Sequence, residues 1–207
     1  MNMRPSEYGI LAKQYRISIT KELIRKSIHL CSAFIPLFLD KAFFPTVISL
    51  FAAAFFYTVS ETLRLRGIEV PVVAKITAVA ARKRDENKFV LGPLTLVFGI
   101  LIAAFLLEPE SRRIGIYALA FGDGLASFAG KLFGRIRIPF TNGKTAAGSL
   151  TCFFAVLISA FAVCKNPQSA LILAVTATFV EVLPLADFDN LIIPIIIGGT
   201  ARYILGI

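Results

Sequence analysis

Residues 42–60 read AFFPTVISLFAAAFFYTVS, a run without a charged side chain. A helix of about 20 apolar residues is long enough to cross the hydrocarbon core of a bilayer. The whole chain shares this character, because 57% of its 207 residues are hydrophobic, 17% are charged and the mean hydropathy is +0.76. A typical soluble domain has about 25% charged residues. The sequence therefore predicts an all-α, polytopic membrane protein that folds as a transmembrane helical bundle.

Apolar runs of similar length recur along the chain and predict about seven spans in a single integral-membrane domain, residues 1–207. No small-residue cleavage site follows the first run, so we expect no removable signal peptide. Residues 61–88 form the one long polar excursion, and their amphipathic part, 70–81, is typical of a helix lying in the cytoplasmic membrane interface. The predicted spans are 23–40, 42–60, 89–107, 114–132, 148–164, 169–185 and 190–206.

The distribution of basic residues predicts the orientation. Loops rich in Lys and Arg stay in the cytoplasm, and an N-terminus placed there leaves only five of the 22 basic residues outside: Lys41, Arg112, Arg113, Lys165 and Arg202. We therefore expect a bacterial inner-membrane protein whose N-terminus and active site are cytoplasmic. The net charge of +9 then reflects this bias and an attraction to anionic lipids. Nucleic-acid binding is not expected, because the basic residues lie in short loops between spans.

A polar face begins the first predicted span. Glu22, Arg25, Lys26 and His29 are three or four residues apart, so they share one side of a helix. The simpler alternative is that the basic side chains snorkel to the interface beside a local Glu–Arg pair. A histidine on the same face is not needed for that role, which favours a functional site.

Asp123 lies near the middle of the fourth predicted span, between Gly122 and Gly124. A charge at such a position costs about 2.5–3.5 kcal/mol on insertion scales, and an unpaired aspartate there is a functional candidate by default. The glycines would let a neighbouring backbone or a ligand come close. Glu61, at the end of the second span, is another candidate, although it could simply pair with Arg64.

The loop before the fifth span contains Gly143 and Lys144 in an arrangement similar to a phosphate-binding P-loop. A P-loop requires a glycine five residues before Gly143, where Ile138 stands, and a preceding strand, which we do not expect here. The segment still predicts an anion site. Lys144 is a cation, and the backbone N–H groups of Gly148 and Ser149 lie at the start of a helix.

Acidic residues gather in the loop between the sixth and seventh spans, which has no Lys or Arg to neutralise them. They are Glu181, Asp187 and Asp189, followed by Asn190. Asp187 and Asp189 could be ordinary helix-capping residues. With Asp123 on the same side of the membrane, however, these carboxylates are the ligand type that holds Mg²⁺, which in turn binds nucleotide phosphates.

Four motifs, in this order along the chain, resemble the dolichol kinase family, which also includes phytol and farnesol kinases and the yeast-type diacylglycerol kinase. The resemblance implies transfer of a phosphoryl group to a lipid alcohol, usually from CTP, with a divalent metal. The chain is similar in length to the compact bacterial members. The motifs are Glu22-x-x-Arg25-Lys26-x-x-His29, Gly122-Asp123, Gly143-Lys144-Thr145-x-x-Gly148-Ser149 and Asp189-Asn190-x-x-x-Pro194.

The resemblance implies roles for these residues. Asp123 would bind metal together with some of Glu181, Asp187 and Asp189, and Asp123 or His29 would accept the alcohol proton. Lys144 would neutralise the transferring phosphate with the N–H groups of the loop. The expected nucleotide and phosphate contacts are Arg25, Lys26, Gly143, Lys144, Thr145, Gly148, Ser149 and Asn190, with Glu22 and Glu61 as further polar candidates. The expected partners are the lipid alcohol, CTP and membrane lipids, and a homodimer is compatible with the sequence.

One departure from the family pattern and two alternative functions remain open. Family kinases often have a glutamate where Ala147 stands, and Glu181 could take its role. Phosphatidate cytidylyltransferases, which make CDP-diacylglycerol, look distantly related, but their Asp-Arg-x-Asp signature is replaced by Asp187-Phe-Asp189-Asn190. A small ion-coupled transporter with Asp123 as its ion site is the alternative from another class, although we find no pair of similarly interrupted halves.

Overall fold

The computed structural model describes residues 19–68, 70, 71, 73, 77, 88–141 and 143–207. Within these ranges the protein is helical, and an isolated antiparallel bridge joins Arg137 to Thr145. Most of the predicted interfacial segment 61–88 lies outside the described residues.

Each of the seven apolar runs is helical in the structure, and the breaks between helices fall close to the predicted loops. The first run is a helix over 19–31 (α1) that continues through a 3₁₀ turn at Ser32–Phe34. The helices that follow are α2 (Ile35–Lys41), α3 (Phe43–Leu65), α4 (Gly92–Leu106), α5 (Pro109–Tyr117), α6 (Gly124–Phe133), α7 (Ala146–Cys164), α8 (Pro167–Val182) and α9 (Asp189–Gly199). Short π-helical turns follow α5, at Ala118–Asp123, and α9, at Thr200–Ile204.

Length and composition allow two of the described helices, α3 and α7, to cross a membrane by themselves. The other apolar helices are shorter; α4 has 15 residues and α8 has 16. The all-helical fold is therefore confirmed, whereas the count of seven spans and the orientation stay predictions.

Local sequence signals explain where several helices begin and end. The Thr145 side chain accepts a hydrogen bond from the N–H of Gly148 at 3.2 Å and caps α7. Asn166 caps α8 in the same way, and Pro167 occupies the first turn, where a missing N–H is not needed. Lys165 ends α7 in the left-handed region at φ 54°.

The core lies where α9 packs against α4 and α5 and where α7 packs against α8. Glycines allow the first of these contacts. A methyl group on Gly99 would collide with the carbonyl oxygen of Asn190, and one on Gly115 would collide with that of Pro194. The backbone of α9 is thereby held close to its neighbours, which fixes the position of the Asp189–Asn190 pair at its start.

Large apolar side chains cover the outside of α3. Phe44, Ile48, Phe55 and Phe56 are all more than half exposed. Exposed apolar surface on this scale marks a surface that meets a membrane or another protein. It supports the membrane association predicted from composition.

Ion pairs in the described residues mark one end of the bundle. Asp40 binds Arg112 at 2.7 Å and Arg113 at 2.5 Å, and Arg202 lies 3.2 Å from Glu108. The three arginines are among the five basic residues predicted on the outer side. The residues predicted to form the active site lie at the other end.

Candidate functional site

A cavity of about 390 Å³ opens at that other end, between α1, α6, the loop before α7 and the end of α8. It brings together residues that are far apart in sequence and that came from all four motifs or from the acidic loop. The predicted site residues that line it are Glu22, Arg25, Asp123, Gly143, Lys144, Thr145, Gly148, Glu181 and Asp189. Lys131, which the sequence did not single out as a site residue, also lines it.

Asp123 ends the π-helical turn Ala118–Asp123 and leads directly into α6. Its Oδ2 accepts a hydrogen bond from Nζ of Lys26 and lies 3.5 Å from Nδ1 of His29. Its Oδ1 makes no hydrogen bond within the described part of the chain. π-Helical turns occur frequently at functional sites. This one directs a carboxylate into the cavity with one oxygen held and the other available.

The pairing with Lys26 corrects the expectation that Asp123 is unpaired. Lys26 is 4% exposed and Asp123 is 2% exposed, so the ion pair is almost fully buried. Lys26 offsets the cost of placing the aspartate in an apolar helix. Removing one member of a buried pair leaves the other charge uncompensated, which typically costs about 3–5 kcal/mol. Asp123 therefore has a structural role whatever else it does.

His29 lies beside this pair on the same face of α1. Its Nδ1 is buried and forms no hydrogen bond within the residues that the structure describes. Neither His29 nor Lys26 lines the cavity, whereas Arg25 does. The predicted polar face of α1 thus divides between side chains that reach the cavity and side chains that contact Asp123.

The glycines beside Asp123 serve helix packing. A methyl group on Gly122 would lie 2.8 Å from Cγ2 of Val156, and one on Gly124 would lie 3.5 Å from Leu30. Gly122 lets α7 approach, and Gly124 faces α1 at ordinary contact distance. The sequence predicted that a neighbouring backbone or a ligand could come close at these glycines. In the structure the side chains of Val156 and Leu30 lie there.

A second set of small residues brings α6 close to the start of α7. A methyl group on Gly130 would lie 2.9 Å from Oγ1 of Thr145, and one on Gly148 would lie 2.9 Å from the carbonyl oxygen of Ala126. Gly130 was not among the predicted site residues. The four-residue spacing of Ala126, Gly130 and Gly134, which puts small residues on one helical face, was the available signal.

Lys144 lies in the cavity and contacts Glu181. Its Nζ is 3.2 Å from Oε1 of Glu181 and also donates to the Glu181 carbonyl oxygen, while Oγ of Ser149 donates to Oε2 of Glu181 at 3.1 Å. The N–H groups of Gly148 and Ser149, predicted to bind an anion, both bond to Thr145. These two N–H donors are therefore already used within the protein, and the anion site stays a prediction that would rest on Lys144 and on the positive end of the α7 dipole.

Glu22 joins α1 to α6 at the edge of the cavity. It accepts a hydrogen bond from Arg25 and lies 3.0 Å from Nζ of Lys131. Burial on its own would raise the pKa of Glu22, but Arg25 and Lys131 outweigh it and hold the pKa below its usual value. Glu22 is therefore an anion whose main partners are cations of the same cavity.

The predicted metal ligands do not gather into a set of their own. Among the residues described, no three His, Cys, Asp or Glu side chains converge as a metal site would require. Asp123 and Glu181 each contact a lysine, Asp189 lines the cavity, and Asp187 does not. Mg²⁺ usually binds one or two carboxylates together with substrate phosphates. Asp123, Glu181 and Asp189 line one cavity, but they do not form a metal site held by protein alone.

Six of the predicted site residues do not line the cavity: Lys26, His29, Glu61, Ser149, Asp187 and Asn190. The Asn190 side chain donates to the carbonyl oxygen of Gly92 and to Oγ1 of Thr95, both at 3.1 Å, and so ties α9 to α4.

Glu61 pairs with Arg64 through two hydrogen bonds of 2.8 Å and accepts the N–H of Val90 at 2.9 Å. Pairing with Arg64 was the alternative to a functional role that the sequence left open for Glu61. In this geometry Glu61 holds the chain where it enters α4.

Comparison with known proteins finds plant phytol kinases. The chain is 26% identical over 197 residues to phytol kinase 1, chloroplastic, from Arabidopsis thaliana, and 27% identical over 201 residues to a probable phytol kinase, chloroplastic, from Zea mays. It is 28% identical over 204 residues to a probable phytol kinase 1, chloroplastic, from Oryza sativa subsp. japonica. These alignments cover 86% of this chain but 62–65% of the relatives, so the chain spans less than two thirds of their length.

No family model and no solved structure matches the chain. The similarity to phytol kinases supports a distant relation to the phytol and dolichol kinase family.

Proposed function

We propose that this protein is a membrane kinase that transfers a phosphoryl group to a lipid alcohol. The observation that carries the proposal is the cavity, in which Asp123, Lys144 and Glu181 come together from three separate segments. The chain is similar over most of its length to proteins named phytol kinases, which makes a prenyl-type alcohol the first substrate to test. Polyprenols, farnesol and diacylglycerol are the other lipid alcohols to test.

We propose CTP as the phosphoryl donor and a divalent cation, such as Mg²⁺, as cofactor. Glu181 and Asp189 would hold the cation together with the nucleotide. When bound, the cation would supply positive charge shared between the donor phosphates. These assignments rest on the donor types present in the cavity and on the resemblance of the motifs.

Cations of the chain would neutralise the phosphates. Phosphoryl transfer depends mainly on positioning and on charge stabilisation. Lys144 and Arg25 line the cavity, and each contacts a carboxylate in the ligand-free structure. We propose that phosphate oxygens take the place of Glu181 at Lys144, so that an ion pair within the protein is exchanged for one with the nucleotide.

Asp123 would accept the proton of the lipid alcohol. Lys26 holds Oδ2, and Oδ1 has no hydrogen-bond partner among the described residues, so one oxygen is available as a general base. His29 was the other candidate for this role. The geometry favours Asp123, because Asp123 lines the cavity and His29 does not.

Purified protein in lipid nanodiscs tests the proposal. CTP labelled at the γ-phosphate is incubated with Mg²⁺ and with phytol, farnesol, a polyprenol or diacylglycerol, and ATP replaces CTP in parallel. Label in the lipid fraction is the expected result. Transfer of labelled cytidine to lipid, or no transfer with any of these alcohols, would contradict the proposal. Lys144→Ala is the inactive variant, and Lys165→Ala, at the opposite end of α7, is its matched control.

A further inference from the structure

The segment 134–141, between α6 and the Gly143–Lys144 part of the loop before α7, presents apolar and basic side chains side by side. Ile136 is 72% exposed and Phe140 is 99% exposed. Arg135 and Arg137 are exposed as well. The segment ends two residues before Gly143, which lines the cavity, so it lies at the same end of the molecule as the cavity.

The backbone of this segment is ordered in a way that turns Phe140 outward. Phe140 has a φ of 64°, in the left-handed region that bulky side chains rarely adopt. Hydrogen bonds fix the turn: Ile138 N–H donates to the carbonyl oxygen of Lys144 at 2.8 Å, and Oγ1 of Thr141 donates to that of Ile138 at 2.7 Å. Because the Phe140 ring is fully exposed, its burial within the described structure does not offset the cost of this backbone conformation.

The charge of this region is entirely positive. No Asp or Glu occurs from residue 124 to residue 145. Lys131 and Lys144 contact Glu22 and Glu181, respectively. Arg135 and Arg137 form no ion pair with any residue that the structure describes. A surface of free arginines beside exposed Phe and Ile side chains is complementary to an anionic, partly apolar partner.

We infer that segment 134–141 contacts an anionic lipid surface beside the cavity. Phe140 and Ile136 enter the boundary between headgroups and acyl chains, and Arg135 and Arg137 bind lipid phosphates. Aromatic and aliphatic side chains flanked by Arg are the combination that binds membrane interfaces, and each basic residue near an anionic surface adds to the attraction. This contact is independent of the proposed enzymatic activity. It would hold the loop that carries Lys144 at the level of the lipid headgroups.

Tryptophan fluorescence can locate the segment, because the chain contains no Trp. Phe140→Trp therefore creates a single reporter, and Phe55→Trp, near the middle of α3, provides a reference for an acyl-chain position. The variants are reconstituted in bilayers whose lipids carry bromine either near the headgroup or near the bilayer centre. We expect Phe140→Trp to be quenched most by the shallow bromines and Phe55→Trp by the deep ones.

Three results would overturn the location. Quenching of Phe140→Trp by aqueous iodide, with no response to either brominated lipid, would place the segment in water. If neither iodide nor a brominated lipid quenches Phe140→Trp, the segment is covered by another protein or by a second copy of the chain. A depth profile equal to that of Phe55→Trp would exclude an interfacial position.

The charge component has its own test. In Phe140→Trp, brominated phosphatidylglycerol should quench more than brominated phosphatidylcholine at the same mole fraction. Adding Arg135→Gln and Arg137→Gln should remove that preference while leaving shallow quenching by either lipid in place. An unchanged preference for phosphatidylglycerol would show that these arginines do not bind the lipid phosphates. Because the readout is fluorescence in ligand-free protein, the result is separate from any test of kinase activity.

Discussion

Replacing Asp123 by Asn keeps the shape of the side chain and removes its charge. Lys26, which is 4% exposed, would then be a buried cation without a counter-ion. The expected loss of stability is about 3–5 kcal/mol. For a chain of this size that corresponds to a decrease in melting temperature on the order of 10 °C. Loss of activity in this variant alone would therefore not show a catalytic role.

A second substitution separates the two effects. Asp123→Asn combined with Lys26→Met replaces the buried pair with neutral side chains of similar size. The double variant leaves no uncompensated buried charge, which is what makes removal of one member of a buried pair costly. We therefore expect the double variant to recover most of the lost stability. We also expect it to remain inactive, because the carboxylate that lines the cavity is still missing.

Thermal unfolding in detergent and transfer of labelled phosphate to lipid would be measured on the same preparations. Lys26→Met alone completes the cycle and should destabilise the protein through the stranded aspartate. Recovery of activity together with stability in the double variant would refute the reasoning, because Asp123 would then be only a counter-ion to Lys26. A single variant, Asp123→Asn, as stable as the wild type would refute the buried pair itself.

Three further predictions follow from the cavity and its supports. Lys144→Ala should reduce phosphate transfer by about 10²–10³, as loss of a charge-stabilising donor commonly does, whereas activity of Lys165→Ala should stay near that of the wild type. Gly130→Ala should lower the melting temperature and the activity together through overpacking of about 1–3 kcal/mol, while Gly199→Ala, with nothing within 4 Å of the added methyl, should not. Glu61→Gln should reduce the unfolding midpoint by weakening a buried hydrogen-bond network, yet leave KM for nucleotide unchanged in the protein that remains folded.

Hydrophobic patterning was sufficient to locate the helices. The loops predicted near residues 41, 108, 165 and 186 fall at or close to the ends of helices in the structure. Helical spacing also grouped Glu22, Arg25, Lys26 and His29 on one face, and that face does meet the cavity and Asp123. The helix positions and the polar face of α1 could both be predicted because hydropathy and periodicity depend on the sequence of a single helix.

Contacts between helices could not be predicted in the same way. Lys26 and Asp123 are 97 residues apart, and the spacing within α1 does not reveal which helix faces it. The use of the Gly148 and Ser149 amides is a local effect that was missed for another reason: the span was predicted to begin at 148, whereas α7 begins at Ala146 and its cap, Thr145, accepts from both amides. The π-helical turn before Asp123 also lacks a sequence signal, because its residues are compatible with an ordinary α-helix.

The unequal exposure of the helices has a consequence for how the protein enters a membrane. α3 is long, apolar and mostly exposed, so it can be inserted during synthesis as an independent unit. α9 has 11 residues, contains Pro194, and depends on Gly99 and Gly115 for its close contacts. Contact with lipid would stabilise α9 little before α4 and α5 are present. Biogenesis would then proceed in two stages, with α3 as an early anchor and α9, which starts with the Asp189 of the cavity, docking last.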